Sequence, residues 1–194
     1  MDELVPGLRR WTVRHESWEE EVGSVAVDTA DGLVLIDPIE PPAELAKPDH
    51  VLVTVFWHHR SLAELEAPRV WAASRSRQPL ENRDIRVTDV LGDAELPGGI
   101  RFFQTARPSE VVYWLPDHGT VVVGDVLLGA GAKPRATDEA LRLCPERWLG
   151  TKATHADLRA SLAPLLDLPV ERVLVSHGAP VFENGAAELE RVLR

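Results

Sequence analysis

Three apolar runs in this chain end beside side chains that can hold a metal. Val51-Leu52-Val53-Thr54-Val55 leads into His58-His59, Val121-Val122-Val123 into Gly124-Asp125, and Val173-Leu174-Val175 into Ser176-His177. A continuous apolar run reads as a strand covered on both faces. In layered α/β folds, sites form just beyond the carboxyl ends of such strands. Imidazole and carboxylate together suit Zn, Fe or Mn. A glycine beside a ligand lets the backbone turn sharply and come close. Each of these residues also reads, taken singly, as a loop residue satisfied by backbone hydrogen bonds. Three at the same kind of strand end point to a shared site.

The rest of the chain supplies the frame. Val22 to Thr29 alternates in polarity as a half-buried strand, and Asp31-Gly32 turns it back into Leu33 to Ile36, which ends at Asp37-Pro38. Pro41 to Ala46 allows a short helix that stops before Pro48. Ser61 with Glu64 forms a capping-box pattern, which puts the two histidines in a tight strand-to-helix loop. Arg69 to Ala72, Ile85 to Val90, Ile100 to Gln104 and Glu110 to Leu115 read as further strands. Gly129 to Lys152 reads as a long irregular loop, a kind usually functional or mobile. Thr154 caps a helix with Leu158, Leu162, Leu165 and Leu166 on its apolar face, bent or shortened by Pro164. A last helix starts at Asn184 or Gly185 and runs through Leu189 and Val192. No repeat and no Ser/Pro-rich linker interrupts the 194 residues, so a single domain over 1–194 is expected.

Composition narrows the partners. With 44% apolar and 27% charged residues the chain reads as an ordinary globular domain, and no apolar run is long enough to span a membrane. Its net charge of −10 argues against nucleic acid and against membrane surfaces, both of which are anionic. The partner expected is a small-molecule ligand or substrate. The one cysteine, Cys144, permits no internal disulfide and fits a reducing, cytoplasmic setting. The acidic Met1-Asp2-Glu3-Leu4 start lacks the apolar core of a signal peptide.

Five segments in order resemble the metallo-β-lactamase-fold proteins. They are Gly32-Leu33-Val34-Leu35-Ile36-Asp37-Pro38, Val51-Leu52-Val53-Thr54 with its loop, Pro108-Ser109-Glu110-Val111-Val112-Tyr113-Trp114, Val123-Gly124-Asp125-Val126-Leu127-Leu128, and Leu174-Val175-Ser176-His177-Gly178-Ala179-Pro180. The resemblance spans nearly the whole chain. It implies an α/β, four-layer αββα sandwich of two mixed sheets, and hydrolases that activate water with one or two Zn or Fe ions.

The departures from that pattern are specific. The family's metal loop reads Thr-His-x-His-x-Asp-His. Aligned on Thr54 without a gap, Val55 and Trp57 stand in the first two histidine positions, His59 in the aspartate position and Arg60 in the last histidine position. Ala106 stands where the next histidine would precede the Pro108-Ser109-Glu110 turn. The three-histidine site is therefore gone, and only Asp125 and His177 stand unchanged. An altered second site of His59, Asp125 and His177 is one expectation, with one divalent metal (Zn or Fe). A one-residue shift brings His58 into a ligand position instead. The other expectation is no metal at all, with the Arg60 guanidinium pairing with Asp125 in its place.

Two functions follow. The one the lost ligands favour is a metal-free pseudoenzyme that binds a small anionic ligand without turnover. The alternative is a mono-metal hydrolase that activates water at His59, Asp125 and His177, in which Asp125 orients the water and His58 or Arg60 holds an anionic substrate or oxyanion. Trp57, Arg60 and Trp148 are the candidate substrate-binding residues, with plain core packing the other reading for the tryptophans. Trp71 carries the same pair of readings. Cys144 reads as a buried inert thiol or a nucleophile. Arg9-Arg10, Arg75-Ser76-Arg77 and Glu19-Glu20-Glu21 read as solvated surface.

Overall fold

Residues 1–194 apart from Ser17 and Thr151 are described by a computed structural model. Strands β1 (Asp2–Val5), β2 (Leu8–His15), β3 (Glu20–Thr29), β4 (Gly32–Ile36), β5 (His50–Leu52), β6 (Arg69–Ala72) and β7 (Asp89–Val90) form one sheet in chain order. It is antiparallel through β4 and parallel from β4 to β7. Strands β8 (Arg101–Gln104), β9 (Val111–Leu115) and β10 (Thr120–Val123) continue the chain. The short ribbon β11 (Leu127–Gly129) with β12 (Leu141–Leu143) follows, and β13 (Arg172–Val175) comes last. The second sheet has the order β13-β10-β9-β8, with β10 and β13 parallel. The helices α1 (Ser74–Glu81), α2 (His155–Leu162) and α3 (Gly185–Leu193) flank the sheets.

Side-chain parity assigns the layers. In a strand, alternate residues point to opposite faces. Val27, Ile36, Leu52 and Trp71 of the first sheet meet Tyr113, Leu115, Val122 and Leu174 of the second. Their neighbours Ala26, Leu35 and Val51 point outward and pack with Leu80 of α1. Val121, Val123, Val173 and Val175 point outward on the other side, against Leu158, Leu162, Leu189 and Val192 of α2 and α3. The order is helix, sheet, sheet, helix, the four-layer arrangement that the resemblance implies. β5, β10 and β13 are covered on both faces, which is why Val51–Val53, Val121–Val123 and Val173–Val175 are unbroken apolar.

Local signals explain most boundaries. Thr29 pairs with Gly32 across the Asp31-Gly32 turn. Thr154 and Asp157 cap α2 reciprocally, and Pro164 ends it at Leu162, after which 163–167 tightens into a 3-10 turn.

Four expectations are corrected. Ser61 does not cap a helix: only a 3-10 turn, Leu62–Glu64, follows, and Ser61 Oγ instead accepts the Glu40 N–H at 2.8 Å. The strand expected from Ile85 is paired only at Asp89–Val90. Segment 129–152 is not wholly irregular, since Leu141–Leu143 pairs with β11. Arg75 and Arg77 of α1 are exposed as expected, but Ser76 between them is buried and donates to the Ser109 carbonyl at 2.6 Å.

Candidate metal centre

His58, Asp125 and His177 come together at the ends of three buried strands. One donor atom from each lies within 4.8 Å of the other two. Asp125 follows β10 through Gly124, where no side chain fits: a Cβ there would lie 2.6 Å from Thr54 Oγ1 and 2.9 Å from Glu110 Oε1. His177 follows β13 and precedes Gly178, whose φ of +83° and contact with the Gly129 carbonyl exclude a side chain. His58 lies in a 3-10 turn, Phe56–His59, that follows the β5 segment.

The turn decides which histidine enters the site. His58 is buried and its Nε2 lies 3.1 Å from Asp125 Oδ1. His59, placed in the metal set from sequence, is partly exposed and outside the cluster; burial and the Arg83 charge lower its pKa. His177 Nε2 approaches the same Oδ1 to 3.2 Å.

Each imidazole has a carboxylate behind it. His58 Nδ1 is 2.8 Å from Asp37 Oδ2, and Asp37 also accepts the Thr54 N–H at 2.8 Å and the Thr54 hydroxyl. His177 Nδ1 faces Glu20 Oε2 at 3.6 Å. With each Nδ1–H directed at its outer carboxylate, both Nε2 lone pairs aim at a carboxylate oxygen. Three lone pairs converge, so a cation belongs between them, either a proton on each ring or one metal ion. This donor set fits one divalent ion.

The other oxygen of Asp125 is taken differently. Trp57 Nε1 donates to Oδ2 at 2.7 Å, and Arg107 Nη1 lies 3.8 Å away. Arg107 also donates to Glu110 Oε2 at 2.6 Å and to the Trp148 carbonyl, with its guanidinium carbon 4.9 Å above the Trp57 ring. Glu110 Oε1 accepts the Asp125 and Val126 amides at 2.6 and 2.9 Å. Among the described residues the His, Cys, Asp and Glu side chains that could hold a metal group only as His58, Asp125 and His177, and Oδ2 faces Trp57 and Arg107.

Arg60 is a further correction. Its guanidinium does not pair with Asp125. Nη1 donates to the carbonyls of Gly23 at 2.9 Å and Asp37 at 2.7 Å, so Arg60 braces β3 against the end of β4. The cations that balance Asp125 come from His58, His177 and Arg107. Glu20, expected to be solvated, instead lies behind His177, and Trp18 covers that ring at 5.1 Å.

The protonation preferences agree with this geometry. Burial alone would raise the Asp125 pKa, but the His58 charge and the bonds from His177 and His58 hold it well below the usual range. Burial and Arg60 oppose protonation of His58, yet Asp125 and Asp37 raise its pKa. Burial opposes protonation of His177 too, but Asp125 and Glu20 push it up to about 9. Burial and the nearby Asp125 push Glu110 up to about 7, against the Arg107 cation. Burial pushes the Cys144 thiol up to about 12, which makes it inert.

Asp125 and His177 open onto a cleft of about 680 Å³. Trp18, Trp57 and Trp148 line it together with Arg107, Lys133 and Arg147. Its volume is in the range of small-molecule sites. Arg60 is not among its lining residues.

No protein-family model and no curated protein matches the chain. Solved structures do. A metallo-β-lactamase from Hirschia baltica is 13% identical, covering 100% of this chain and 96% of that one, with a TM-score of 0.66. FIM-1 from Pseudomonas aeruginosa, described as a metallo-β-lactamase in the mono-zinc form, is 16% identical over 96% and 92%, with a TM-score of 0.62. The chain has the metallo-β-lactamase fold. A metal-soaked flavodiiron core, Flv1 from Synechocystis sp. PCC6803, is also similar at 19% identity over 95% and 56%, with a TM-score of 0.64. At these identities the likeness concerns the fold, and within this metallo-β-lactamase fold the strand ends carry the His58, Asp125 and His177 donors. Among the described residues no helix is long and apolar enough to cross a membrane.

Proposed function

We propose that the chain is a hydrolase of small, partly apolar anions, working at a centre that holds one divalent ion, zinc or iron. The observation that carries this reading is the convergence of His58 Nε2 and His177 Nε2 on Asp125 Oδ1, with a carboxylate behind each Nδ1. Two imidazoles and one carboxylate with open positions suit such an ion. Support also comes from a structural neighbour described in a mono-zinc form. When bound, the ion supplies a water acidified toward neutrality and a positive charge that polarises an oxygen.

The chain's own residues do the rest. Asp37 and Glu20 hold the imidazoles with Nε2 inward. Trp57 and Arg107 satisfy Oδ2 and leave Oδ1 to the centre. Trp18, Trp57 and Trp148 cover the apolar body of the substrate and exclude water, while Arg107 and Arg147 attract its negative charge. Arg60 takes no part in substrate binding.

A metal-free ligand-binding protein is the second reading. It is favoured by the Trp57 N–H and the Arg107 cation at Oδ2, since two imidazolium rings at Oδ1 would then complete the neutralisation of Asp125. Metal analysis of the purified chain, followed by Zn and Fe(II) titration after chelation, separates the two. One ion per chain, bound with release of protons, is expected of the hydrolase. No binding at micromolar ion would leave the metal-free reading.

A further inference from the structure

We propose that a second cleft, next to the first, binds the phosphoryl group of a phosphate monoester. This cleft has a volume of about 470 Å³, and Arg135, Arg142 and Arg147 line it with Thr137, Glu146 and His155. Three arginines and one glutamate are among its lining residues, in a chain whose net charge is −10. Glu146 is already engaged: it accepts the His155 N–H at 2.9 Å and lies 4.0 Å from His155 Nδ1. The excess positive charge is therefore not internally balanced.

Two polar atoms of this cleft's lining residues are buried without a partner among the described residues, Arg142 Nε and Thr137 Oγ1. Guanidinium forks match the oxygens of phosphate bidentately, and a phosphate monoester carries about two negative charges at neutral pH. The Cys144 thiol beside the cleft is buried.

Arg147 and Pro134 line both clefts. A molecule held by its phosphoryl group in the second can therefore extend its body past Arg147 into the indole-lined first cleft. This extension rests on the proposed substrate cleft, whereas the phosphoryl site itself does not need the metal centre.

Calorimetric titration of the full chain with inorganic phosphate and with phenyl phosphate tests both parts. The phosphoryl site predicts that Arg135→Gln and Arg147→Gln each weaken inorganic phosphate about tenfold. It also predicts that Asp125→Asn and the remote Arg86→Gln leave phosphate affinity unchanged. No phosphate binding at millimolar concentration, equal affinity in the two cleft variants, or loss in Asp125→Asn would overturn it. Arg135 is exposed and its side chain makes no hydrogen bond or ion pair among the described residues, so its variant stays informative even if Arg142 variants fail to fold. Phenyl phosphate should bind more tightly than phosphate, with the gain lost in Trp148→Ala; equal affinities would overturn the monoester assignment, whatever the metal titration shows.

Discussion

His58 reaches Asp125 with the inner edge of its ring, Nε2 to Oδ1 at 3.1 Å, while its outer nitrogen is held at 2.8 Å by Asp37. The imidazole is thereby fixed in tilt, with a carboxylate at each ring nitrogen. Asp125 thus becomes a shared counter-charge, with one oxygen facing two histidines and the other facing Trp57 and Arg107.

Asp125→Asn removes that counter-charge with little change in shape. Divalent-ion affinity should fall by more than about 100-fold, beyond what loss of an outer-shell partner causes. Zinc titration monitored by calorimetry measures it, and unchanged affinity would place the ion elsewhere.

Glu20→Gln tests the carboxylate behind His177. Glu20 touches no other ligand of the centre, so the ion should still bind, but about tenfold more weakly. Competition with a chromophoric chelator reads the change.

The metal-free protein should lose stability as pH rises. His177 is held up to about 9 in the folded chain, against ~6.5 when unfolded. A proton bound more tightly in the folded state stabilises fully below the unfolded value and ceases to do so as pH passes the folded one. The loss expected between these limits is on the order of 3 kcal/mol. Glu110, raised to about 7, acts with the same sign in a lower window. Urea unfolding across this range checks the slope, which His177→Gln should flatten above neutrality. A bound ion should reverse the trend, because its ligands must be deprotonated.

Glu110→Gln leaves the buried Arg107 guanidinium without its nearer carboxylate. The pair is buried, with Nη1 to Oε2 at 2.6 Å. Breaking one side of such a pair destabilises by about 3 kcal/mol or more, to be measured by chemical denaturation.

Arg60→His adds no ligand, since Arg60 points at the Gly23 and Asp37 carbonyls and not at Asp125. Metal affinity should not rise, and the melting temperature should fall as the brace between β3 and β4 is lost. A gain of affinity in this variant would mean that the loop presents residue 60 to the centre after all.

The amino-acid order by itself determined β3 to β6, β8 to β10 and β13, the two-sided burial of β5, β10 and β13, and the positions of Asp125 and His177, because alternating or apolar runs and their Gly-Asp and Ser-His ends are local signals; β1, β2 and the β11–β12 ribbon carried no such signal. The Thr154 cap and the stop at Pro164 are local in the same way. The choice of His58 over His59 was not local. It depends on the rotation of one 3-10 turn, which sends adjacent side chains in different directions and brings both Trp57 and His58 to Asp125. Arg60 was misread for the same reason: a ligand position in an alignment says nothing about where a side chain with φ of +37° points. Glu20, Trp18, Arg107 and Glu110 reach the centre from distant segments, and their proximity exists only once the two sheets are packed face to face. Burial then turns ordinary charges into a network, since a carboxylate such as Asp125 removed from water must be matched by cations that only the tertiary structure supplies.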